Sequence, residues 1–531
     1  MSVTVGRYLV GSLAANDIDT VFGIPGVHTL ELYRGLADSP IRHVLVRHEQ
    51  GAGFAADGYA RASGRVAAAF VISGPGLTNA LTAVAQAYSD SVPLLVIAST
   101  PARASLGKQW GVLHELRDQR ALAERVFGVA LSARSAEDVR DHLRACFACL
   151  RSGRPRPAYL EIPLDLLAET TALQPERFAA AAVVPCGDGA QIDAAIRLLN
   201  GAERPLMVAG GGARAAAREL REMAGILDAL VVTTAAGKGV LPDRHECNLG
   251  ASLPYRETQA LAAAADVILA VGTEIAETDI YWALRLPLAG RLIRIDVDPA
   301  KLSDHYAAAV PILGDARRTL EAINRGLTRR TGWQAQIGGA ARVRAQIEKS
   351  WNRAGKAQAS ALAAIRAALP ADAAVFSDMT QIAYHGNYAF PVDAPGCWFH
   401  PSGYGTLGFA LPAALGAKIA SPSRAVLALA GDFGLQFTLP ELMTAAENGA
   451  ALPIVVWNNA ALGQIRDDMA AADIPPIGVV ARNPDFHALA RACGIPSLRA
   501  RNAAELTPAV KAALGAEGPT LIEIMEADFY E

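Results

Sequence analysis

Two short polar clusters follow apolar runs near the end of the sequence. Gly431-Asp432-Phe433-Gly434 comes directly after the run VLALA, and Asn459 closes the run IVVWNN at a separation from Asp432 of 459 − 432 = 27 positions. Glycines let a backbone approach a phosphate closely, and carboxylate and carboxamide oxygens are ligands that Mg²⁺ accepts beside phosphate groups. One strand–helix–strand step would bring both side chains to one sheet edge, which predicts a site for magnesium and a diphosphate. The alternative is an Asp that caps a helix and an Asn pair in a turn.

A single acidic residue near the other end of the chain is the second candidate. Glu49 follows the apolar run HVLVRH and precedes GAGFAADG, a predicted helix start that is rich in small residues. Taken alone, the residue fits two interpretations equally well. It is either a catalytic carboxyl group or an ordinary carboxylate that the helix dipole stabilises.

The elements that must position these residues follow one pattern. Short apolar runs alternate with helical patterns, which predicts parallel sheets with crossover helices. Breaks in the pattern predict three α/β domains, at 1–170, 190–328 and 345–531. The stretches from Phe70 and from Val426 repeat one plan of strand, Gly turn, helix, Pro and strand. Only the second copy carries an Asp in its Gly turn and an Asn pair after its second strand, so the last domain is predicted to be the phosphate and metal side.

The bulk composition excludes several classes of protein. The 531 residues are 52% apolar and 19% charged, which is typical of large α/β domains, and the formal net charge of −3 gives no indication of nucleic-acid binding. The sequence shows no signal peptide and no uncharged run long enough to cross a bilayer, so we expect a cytoplasmic protein without membrane segments. Cys146 and Cys149 form a CxxC inside a helical pattern, which favours a buried helix face over a metal or redox site.

Several blocks together carry a family resemblance. GDF…NN resembles the GDG…NN motif of thiamine diphosphate-dependent enzymes, with Phe433 in place of the third residue. RHEQGAGFAADGYARASG, SGPGLTN and SGYGTLGFALPAALGA are similar to the corresponding blocks of the acetolactate synthase-like enzymes, and the resemblance spans nearly the whole chain. It implies three doubly wound parallel-sheet domains, which are pyrimidine-binding, central and diphosphate-binding. It also implies a homodimer or homotetramer, because the family places the cofactor between the first domain of one subunit and the last domain of its partner.

The resemblance also implies roles for individual residues. Mg²⁺ would be held by Asp432, Asn459 and the backbone carbonyl of Ala461. Other cofactor contacts would come from Pro25, Glu49, Asn79, Thr380, Gln381, Gly405, Leu407, Gly431, Phe433 and Gly434. Glu49 would share a proton with the aminopyrimidine ring, since burial against an aromatic ring favours a protonated carboxyl group. Leu407 would bend the cofactor into a V.

Departures from the acetolactate synthases bear on the substrate. Leu113-His114-Glu115 stands where those enzymes carry Phe-Gln-Glu, and Asp467-Asp468 stands where they carry Gln-Trp. Loss of that Trp argues against acetolactate synthesis. The absence of their flavin-contacting Asp-Asp-Arg argues against bound FAD, although the glycines at 210–212 keep some nucleotide-like character.

Three further stretches are most similar to the 5-guanidino-2-oxopentanoate decarboxylases: FGIPGVHTLELYRG, LHELRDQRALAERV and IRDDMAAADIPPIGV. A guanidinium group binds fixed carboxylates in bidentate geometry. The candidate carboxylates are Glu115, Asp118, Asp467 and Asp468. His28 and His114 are candidates for proton transfer after CO₂ leaves. The alternative is that the Asp pair lies on a solvated helix face and that the histidines are structural.

The sequence therefore predicts a thiamine diphosphate- and Mg²⁺-dependent, non-oxidative decarboxylase of a small-molecule 2-oxo acid. The preferred substrate is 5-guanidino-2-oxopentanoate, which would give 4-guanidinobutanal and CO₂ in arginine catabolism. One alternative is an acetolactate synthase-type carboligase, which joins the same enamine to a second carbonyl compound. The other is a non-catalytic nucleotide-binding protein built on the central domain.

Overall fold

A computed structural model describes residues 2–179, 184–281, 285–480 and 482–530. Its contacts divide the chain into two compact units. The first comprises Met1–Ala182, Tyr404–Leu498 and Ala512–Glu523. The second comprises Val183–Gly403, Arg499–Lys511 and Ile524–Glu531. Much of the first and last predicted domains therefore belongs to one unit.

A six-stranded parallel sheet organises the amino-terminal part of the first unit. Its strands lie in the order Arg42–Leu45, Thr20–Gly23, Ala67–Val71, Leu94–Thr100, Ala158–Pro163 and Val129–Ser132. Its helices are Val5–Ala15, Leu30–Ala37, Glu49–Ser63, Pro75–Ser89, Gln119–Ala123, Ala136–Arg151 and Leu164–Ala168. A short antiparallel pair joins Val3–Thr4 to Thr170–Thr171. Neighbouring strand residues such as Ala69 and Phe70 belong to different apolar clusters, so helices cover both faces of the sheet.

The carboxyl-terminal part of the first unit repeats the strand–turn–helix plan. Strands Val426–Gly431 and Pro453–Asn458 pair in parallel. The helices here are Ala410–Ala420, Asp432–Phe437, Glu441–Glu447, Gly463–Ala471 and Phe486–Ala492. The single helix expected between the two strands is two helices, because Pro440 lacks the N–H that a continuous helix would need. Further along, the chain forms strands Ser497–Arg499 and Thr520–Met525 and helix Ala503–Leu514.

Two helices of the first unit cross at backbone contact. A Cβ atom at Gly58 would collide with the carbonyl oxygen of Ala413, and one at Gly416 would collide with the carbonyl oxygen of Ala55. Helices Glu49–Ser63 and Ala410–Ala420 can therefore approach this closely only because glycines stand at the crossing. Larger residues there would keep the two helices apart. This contact joins the helix that begins at Glu49 to the segment that follows Leu407.

The second unit contains a five-stranded parallel sheet. Its order is Leu230–Thr233, Pro205–Ala209, Val267–Val271, Arg291–Asp296 and Val310–Leu313. Met207 and Val208 face different apolar clusters, so this sheet too is covered on both faces. The apolar runs PLMVA, VILAV and RLIRID form three of these strands. Helices beside these strands are Gly189–Gly201, Ala217–Leu227, Arg256–Ala264, Glu277–Ile280 and Ala316–Asn324.

The rest of the second unit is mainly helical. Its helices are Trp333–Ile337, Gly339–Lys349, Arg353–Ala368 and Gln381–Ala389, and strands Ala374–Ser377 and Trp398–Phe399 pair in parallel. The first of these helices lies between the second and third predicted domains, at 190–328 and 345–531. With a third main sheet of six strands, the predicted class of three parallel-sheet α/β domains is confirmed.

Two smaller expectations concern helices. Cys146 is fully buried in helix Ala136–Arg151, which confirms the buried helix face. Among the described helices, none combines the length and apolar composition needed to cross a membrane.

Candidate active site

Asp432 and the Asn459–Ala461 segment follow the carboxyl ends of two paired strands. Gly431 lies opposite Trp457 in the parallel register, so the residues after each strand are neighbours. Burial raises the pKa of the Asp432 carboxyl, although Asn483 and backbone N–H groups, including that of Ala460, donate hydrogen bonds to it. A cation beside this carboxyl would favour its charged form. The predicted metal-side residues are thus brought together at one sheet edge.

The other predicted metal ligands lie in a sharp turn. Asn459 Oδ1 accepts the backbone N–H of Ala461 at 3.1 Å, and Ala460 between them is left-handed at φ 53°. A carboxamide oxygen has two lone pairs and can accept two contacts. Within the described ranges, no group of three His, Cys, Asp or Glu side chains could hold a metal ion. The donor set fits Mg²⁺ as one carboxylate, one carboxamide and one carbonyl, a set that phosphate oxygens usually complete.

The glycine-rich turn contains a short helix. Gly431 is the N-cap of helix Asp432–Phe437, and Gly434 is buried inside that helix. Helical backbone has negative φ and accepts any L-residue except proline without strain. Phe433 therefore replaces the motif's glycine without distorting the turn.

One residue that positions Asp432 was missed from the sequence. Asn483 Nδ2 donates to Asp432 Oδ2 at 2.6 Å and to Asn458 Oδ1 at 2.9 Å. Gln436 Nε2 donates to Asn483 Oδ1 at 3.2 Å. Asn483 thereby fixes both the acidic turn and the start of the Asn pair. No spacing rule links Asn483 to Asp432, which lies 51 residues earlier.

Glu49 is the first residue of its helix. His48 is the N-cap, and its Nδ1 accepts the backbone N–H of Gln50 at 3.1 Å. Asn79 Nδ2 donates to Glu49 Oε2 at 3.0 Å, so two of the predicted cofactor residues are hydrogen-bonded to each other. This bond holds the half-buried Glu49 carboxylate against helix Pro75–Ser89.

A buried glutamate from the carboxyl-terminal part supports the start of this helix. Glu441 Oε1 accepts the backbone N–H groups of Arg47 and His48, each at 3.1 Å. Thr444 Oγ1 donates to Glu441 Oε2 at 2.6 Å. Burial raises the pKa of Glu441. No motif or spacing pointed to this residue, which lies 394 positions after Arg47.

The remaining predicted cofactor residues are placed as follows. Pro25 is exposed in the loop after strand Thr20–Gly23. Gly405 is left-handed at φ 73°, a conformation that favours glycine, and Leu407 is half-buried two residues later. In the second unit, Thr380 is the extended N-cap of helix Gln381–Ala389. The assignment of Thr380 and Gln381 as cofactor contacts stays a prediction.

His28 and His114 lie beside each other in the first unit. Their ring centroids are 5.4 Å apart, and His28 Nδ1 is 2.5 Å from Ser73 Oγ. Burial and the neighbouring His114 lower the pKa of His28, so its imidazole is neutral at neutral pH. His114 is left-handed at φ 61°, a conformation that is uncommon for a non-glycine residue. Two adjacent imidazoles can relay a proton to a reacting carbon.

Comparison with known protein families decides the wider assignment. Family models described as the N-terminal TPP binding domain, the central domain and the C-terminal TPP binding domain of thiamine pyrophosphate enzymes match residues 3–122, 192–323 and 378–524. The chain belongs to the thiamine pyrophosphate enzymes. Its cofactor is therefore thiamine diphosphate.

Named relatives of this thiamine pyrophosphate enzyme match over nearly its full length. A protein of Pseudomonas aeruginosa named probable 2-ketoarginine decarboxylase AruI is 49% identical, over 99% of this chain and 94% of its own length. Acetolactate synthase isozyme 3 large subunit of Escherichia coli is 32% identical, over 95% and 91%. Acetolactate synthase of Mycobacterium bovis is 32% identical, over 94% and 84%.

The four predicted substrate carboxylates of this thiamine pyrophosphate enzyme have local hydrogen bonds. Glu115 accepts the backbone N–H groups of residues 109 and 111, and Asp118 caps helix Gln119–Ala123 through the N–H of residue 121. Asp467 pairs with Arg466 at 3.0 Å, and Asp468 accepts from the side chain of residue 464 at 3.0 Å. Glu115 and Asp118 thus have local structural roles, and the assignment of the four carboxylates to the substrate stays a prediction.

The glycines at 210 and 212 form backbone hydrogen bonds within the second unit. The N–H of Gly210 donates to Val271 O at 3.0 Å, and that of Gly212 donates to Gly272 O at 3.1 Å. A Cβ at Gly212 would lie 2.8 Å from Gly272 Cα, so the glycines allow two loops to pack closely. Close packing is therefore one reason for glycine at these positions.

Proposed function

We propose that this thiamine pyrophosphate enzyme decarboxylates a 2-oxo acid without oxidation, and that its substrate is 5-guanidino-2-oxopentanoate, also called 2-ketoarginine. The products would be 4-guanidinobutanal and CO₂. The observation that carries the proposal is the 49% identity, over nearly the whole of both chains, to the probable 2-ketoarginine decarboxylase. The site residues described above support it.

Residues of the carboxyl-terminal domain would hold the diphosphate end of the cofactor. Asp432, Asn459 and the carbonyl of Ala461 would bind Mg²⁺, and Asn483 would keep the Asp432 carboxylate oriented toward the ion. The raised pKa of Asp432 supports this role, because a buried carboxylate that awaits a cation is poorly solvated without one.

Residues of the amino-terminal domain would handle protons. Glu49, held by Asn79, would share a proton with the pyrimidine ring. The chemistry that thiamine diphosphate supplies when bound is a carbon nucleophile for the 2-oxo carbon and a sink for the electron pair that CO₂ leaves behind. An aldehyde forms only if that carbon then takes up one proton. His28 and His114 would relay this proton from solvent, because a neutral imidazole can take up a proton at one ring nitrogen as it gives up the proton on the other.

The substrate and the reaction are tested together. We expect kcat/KM for 5-guanidino-2-oxopentanoate to exceed that for pyruvate, with CO₂ and an aldehyde as the products. A preference for pyruvate would exclude the guanidino substrate. A longer hydroxy-oxo acid in place of the aldehyde would identify a carboligase, the activity named for the 32% identical acetolactate synthases.

The role of Glu49 is tested by Glu49→Gln. This change keeps the size of the side chain and its acceptor for Asn79 but removes the carboxylic acid. We expect at least a ~100-fold loss of kcat, the usual scale of a lost general acid–base group. Glu321→Gln, which removes an exposed carboxylate paired with Arg325 in the second unit, is the control and should keep wild-type activity. Full activity of Glu49→Gln on every 2-oxo acid tested would contradict the assignment.

A further inference from the structure

The segment that carries Leu407 has an unusual backbone. Gly405 and Gly408 are both left-handed, at φ 73° and 84°, and Thr406 between them is 7% exposed. Two left-handed residues make a segment that few sequences hold without outside support. Its shape must therefore be fixed by contacts with the rest of the first unit.

Gln86 provides one such contact from helix Pro75–Ser89. Its side chain is fully buried, and its Oε1 accepts both the backbone N–H of Thr406, at 3.3 Å, and the Thr406 hydroxyl, at 2.9 Å. Its Nε2 donates to Asp90 Oδ2 at 2.7 Å. The Asp90 carboxylate thus orients the Gln86 carboxamide, and the carboxamide oxygen faces Thr406.

The network continues to the other side of Leu407. Arg61 donates to Asp90 at 2.7 Å and also pairs with the fully buried Asp57. The Arg61 guanidinium lies over the ring of Phe409, 5.2 Å from its centroid. Arg61 therefore contacts the residue after Gly408 and, through Asp90 and Gln86, is linked to the residue before Leu407.

A third contact holds the second glycine. Thr438 Oγ1 donates to the carbonyl oxygen of Gly408 at 2.8 Å. Leu407 is thus flanked on both sides by anchored residues. When one member of such a buried network is lost, its partners are left without hydrogen bonds. The members of the network therefore stabilise one another.

We propose that Gln86 is a positioning residue for cofactor activation. It fixes the Thr406 backbone and thereby holds Leu407, and the backbone groups of Gly405 and Leu407, in the positions from which they would contact the cofactor. The inference rests on the proposed function in one respect, the contact of Leu407 with thiamine diphosphate. It concerns the geometry of the bound cofactor and not the identity of the 2-oxo acid.

The test compares Gln86→Met with wild type in the full-length enzyme loaded with Mg²⁺ and thiamine diphosphate. Methionine keeps the length and volume of the side chain but removes both hydrogen-bonding groups. The readout is the rate at which the C2 hydrogen of the bound cofactor exchanges with deuterium, measured by acid quench and NMR without any 2-oxo acid. We expect this rate to fall by about tenfold to a hundredfold, the loss caused by misplacing a reacting group by an ångström. The Kd of the cofactor should change by less than about threefold, because most of its affinity comes from the diphosphate and metal.

Two matched variants separate positioning from general stability. Thr406→Ser keeps the hydroxyl and the backbone N–H, so its exchange rate should equal that of wild type. Gln358→Met alters another buried glutamine, in the second unit, and should leave the C2 exchange rate unchanged. A wild-type C2 exchange rate in Gln86→Met, or an equal fall in Gln358→Met, would overturn the proposal.

A second measurement needs no bound cofactor. Amide hydrogen exchange of the peptide over residues 404–409 in the unliganded protein should be at least about tenfold faster in Gln86→Met, with other peptides unchanged. Unchanged protection of this peptide, or uniform loss over the whole chain, would overturn the inference. Failure of the decarboxylase proposal would appear instead as wild-type enzyme that activates its cofactor but releases no CO₂ from any 2-oxo acid.

Discussion

At the scale of single residues, burial sets the protonation of several groups. Burial raises the pKa of Asp432 and, together with His114, lowers that of His28. His385, in the second unit, shows the effect more strongly. Its ring packs 4.5 Å from that of Trp351, and burial lowers its pKa from 6.5 to about 4.

We expect His385 to destabilise the protein in acid. Between pH 6.5 and about 4 the unfolded chain binds a proton at this residue and the folded chain does not, so stability falls as the pH is lowered through this window. The total effect is about 3 kcal/mol, from 1.36 kcal/mol for each pKa unit. In His385→Phe, the melting temperature should fall less steeply over this range than in wild type. The exposed His305→Gln is the control, and identical slopes for His385→Phe and wild type would refute the prediction.

A second prediction at this scale concerns substrate selectivity. Asp468 is half-buried and accepts a hydrogen bond from the neutral side chain of Gln464, whereas the exposed Asp467 is paired with Arg466. If Asp468 binds the guanidinium, Asp468→Asn should lower kcat/KM for 5-guanidino-2-oxopentanoate by about tenfold to a hundredfold, the worth of a charged hydrogen bond. The value for pyruvate should not change, and Asp467→Asn should have the smaller effect. Equal losses on both substrates would show that neither carboxylate binds the guanidinium.

At the scale of elements, a helix crossing connects the two halves of the first unit. Helices Glu49–Ser63 and Ala410–Ala420 approach so closely that glycines at 58 and 416 leave no room for a methyl group. The helix that begins at Glu49 and the helix that follows Leu407 are therefore fixed against each other. A shift of one of these two helices would therefore also move the first residues of the other helix.

Gly58→Ala should therefore destabilise the protein. The new methyl would overlap the carbonyl of Ala413, which belongs to backbone and cannot rotate away. We expect a loss of at least about 1–3 kcal/mol, the usual cost of overpacking, with weaker cofactor binding. Gly225→Ala is the matched control, because it lies in helix Ala217–Leu227 with no atom within 4 Å of the new Cβ. Thermal unfolding should show Gly225→Ala gaining roughly 0.5–1 kcal/mol, and a Gly58→Ala protein as stable as wild type would contradict the close contact.

At the scale of the whole molecule, two arrangements of the cofactor site are compared. The site is formed either by two subunits together or by one chain alone. The family resemblance implies that Glu49 of one subunit and Asp432 of its partner serve the same cofactor. Hydrogen bonds from Arg47 and His48 to Glu441 show that the two end domains also touch within one chain. A mixing experiment separates a shared site from a site within one chain.

Glu49→Gln and Asp432→Asn should each be inactive alone. If the subunits share sites, a mixed dimer has one site with both changes and one site with neither. Random mixing of equal amounts would then restore about a quarter of wild-type activity, since half of the dimers are mixed and half of their sites are intact. If each site lies within one chain, mixing restores nothing. Sedimentation of the wild-type protein as a dimer or tetramer is the accompanying control.

Much of the fold and part of the site followed from the sequence alone. Apolar runs predicted the strands that end at Gly431 and Asn458, and one strand–helix–strand step predicted that Asp432 and Asn459 would be neighbours. These inferences succeed because they are local. The period of apolar residues and the conformational freedom of glycine act over a few residues, and parallel strand ends must share an edge.

Only the tertiary structure decided what supports these residues. Asn483 orients Asp432 from 51 positions away, Gln86 holds Thr406 from 320, and Glu441 binds the N–H of Arg47 from 394. A hydrogen bond between distant residues leaves no periodic signal in a sequence, because its partners meet only after sheets and helices have packed. Short sequence motifs therefore identify the types of the reacting groups. The orientation of these groups depends on polar side chains from distant parts of the sequence, which come into contact only when the chain packs.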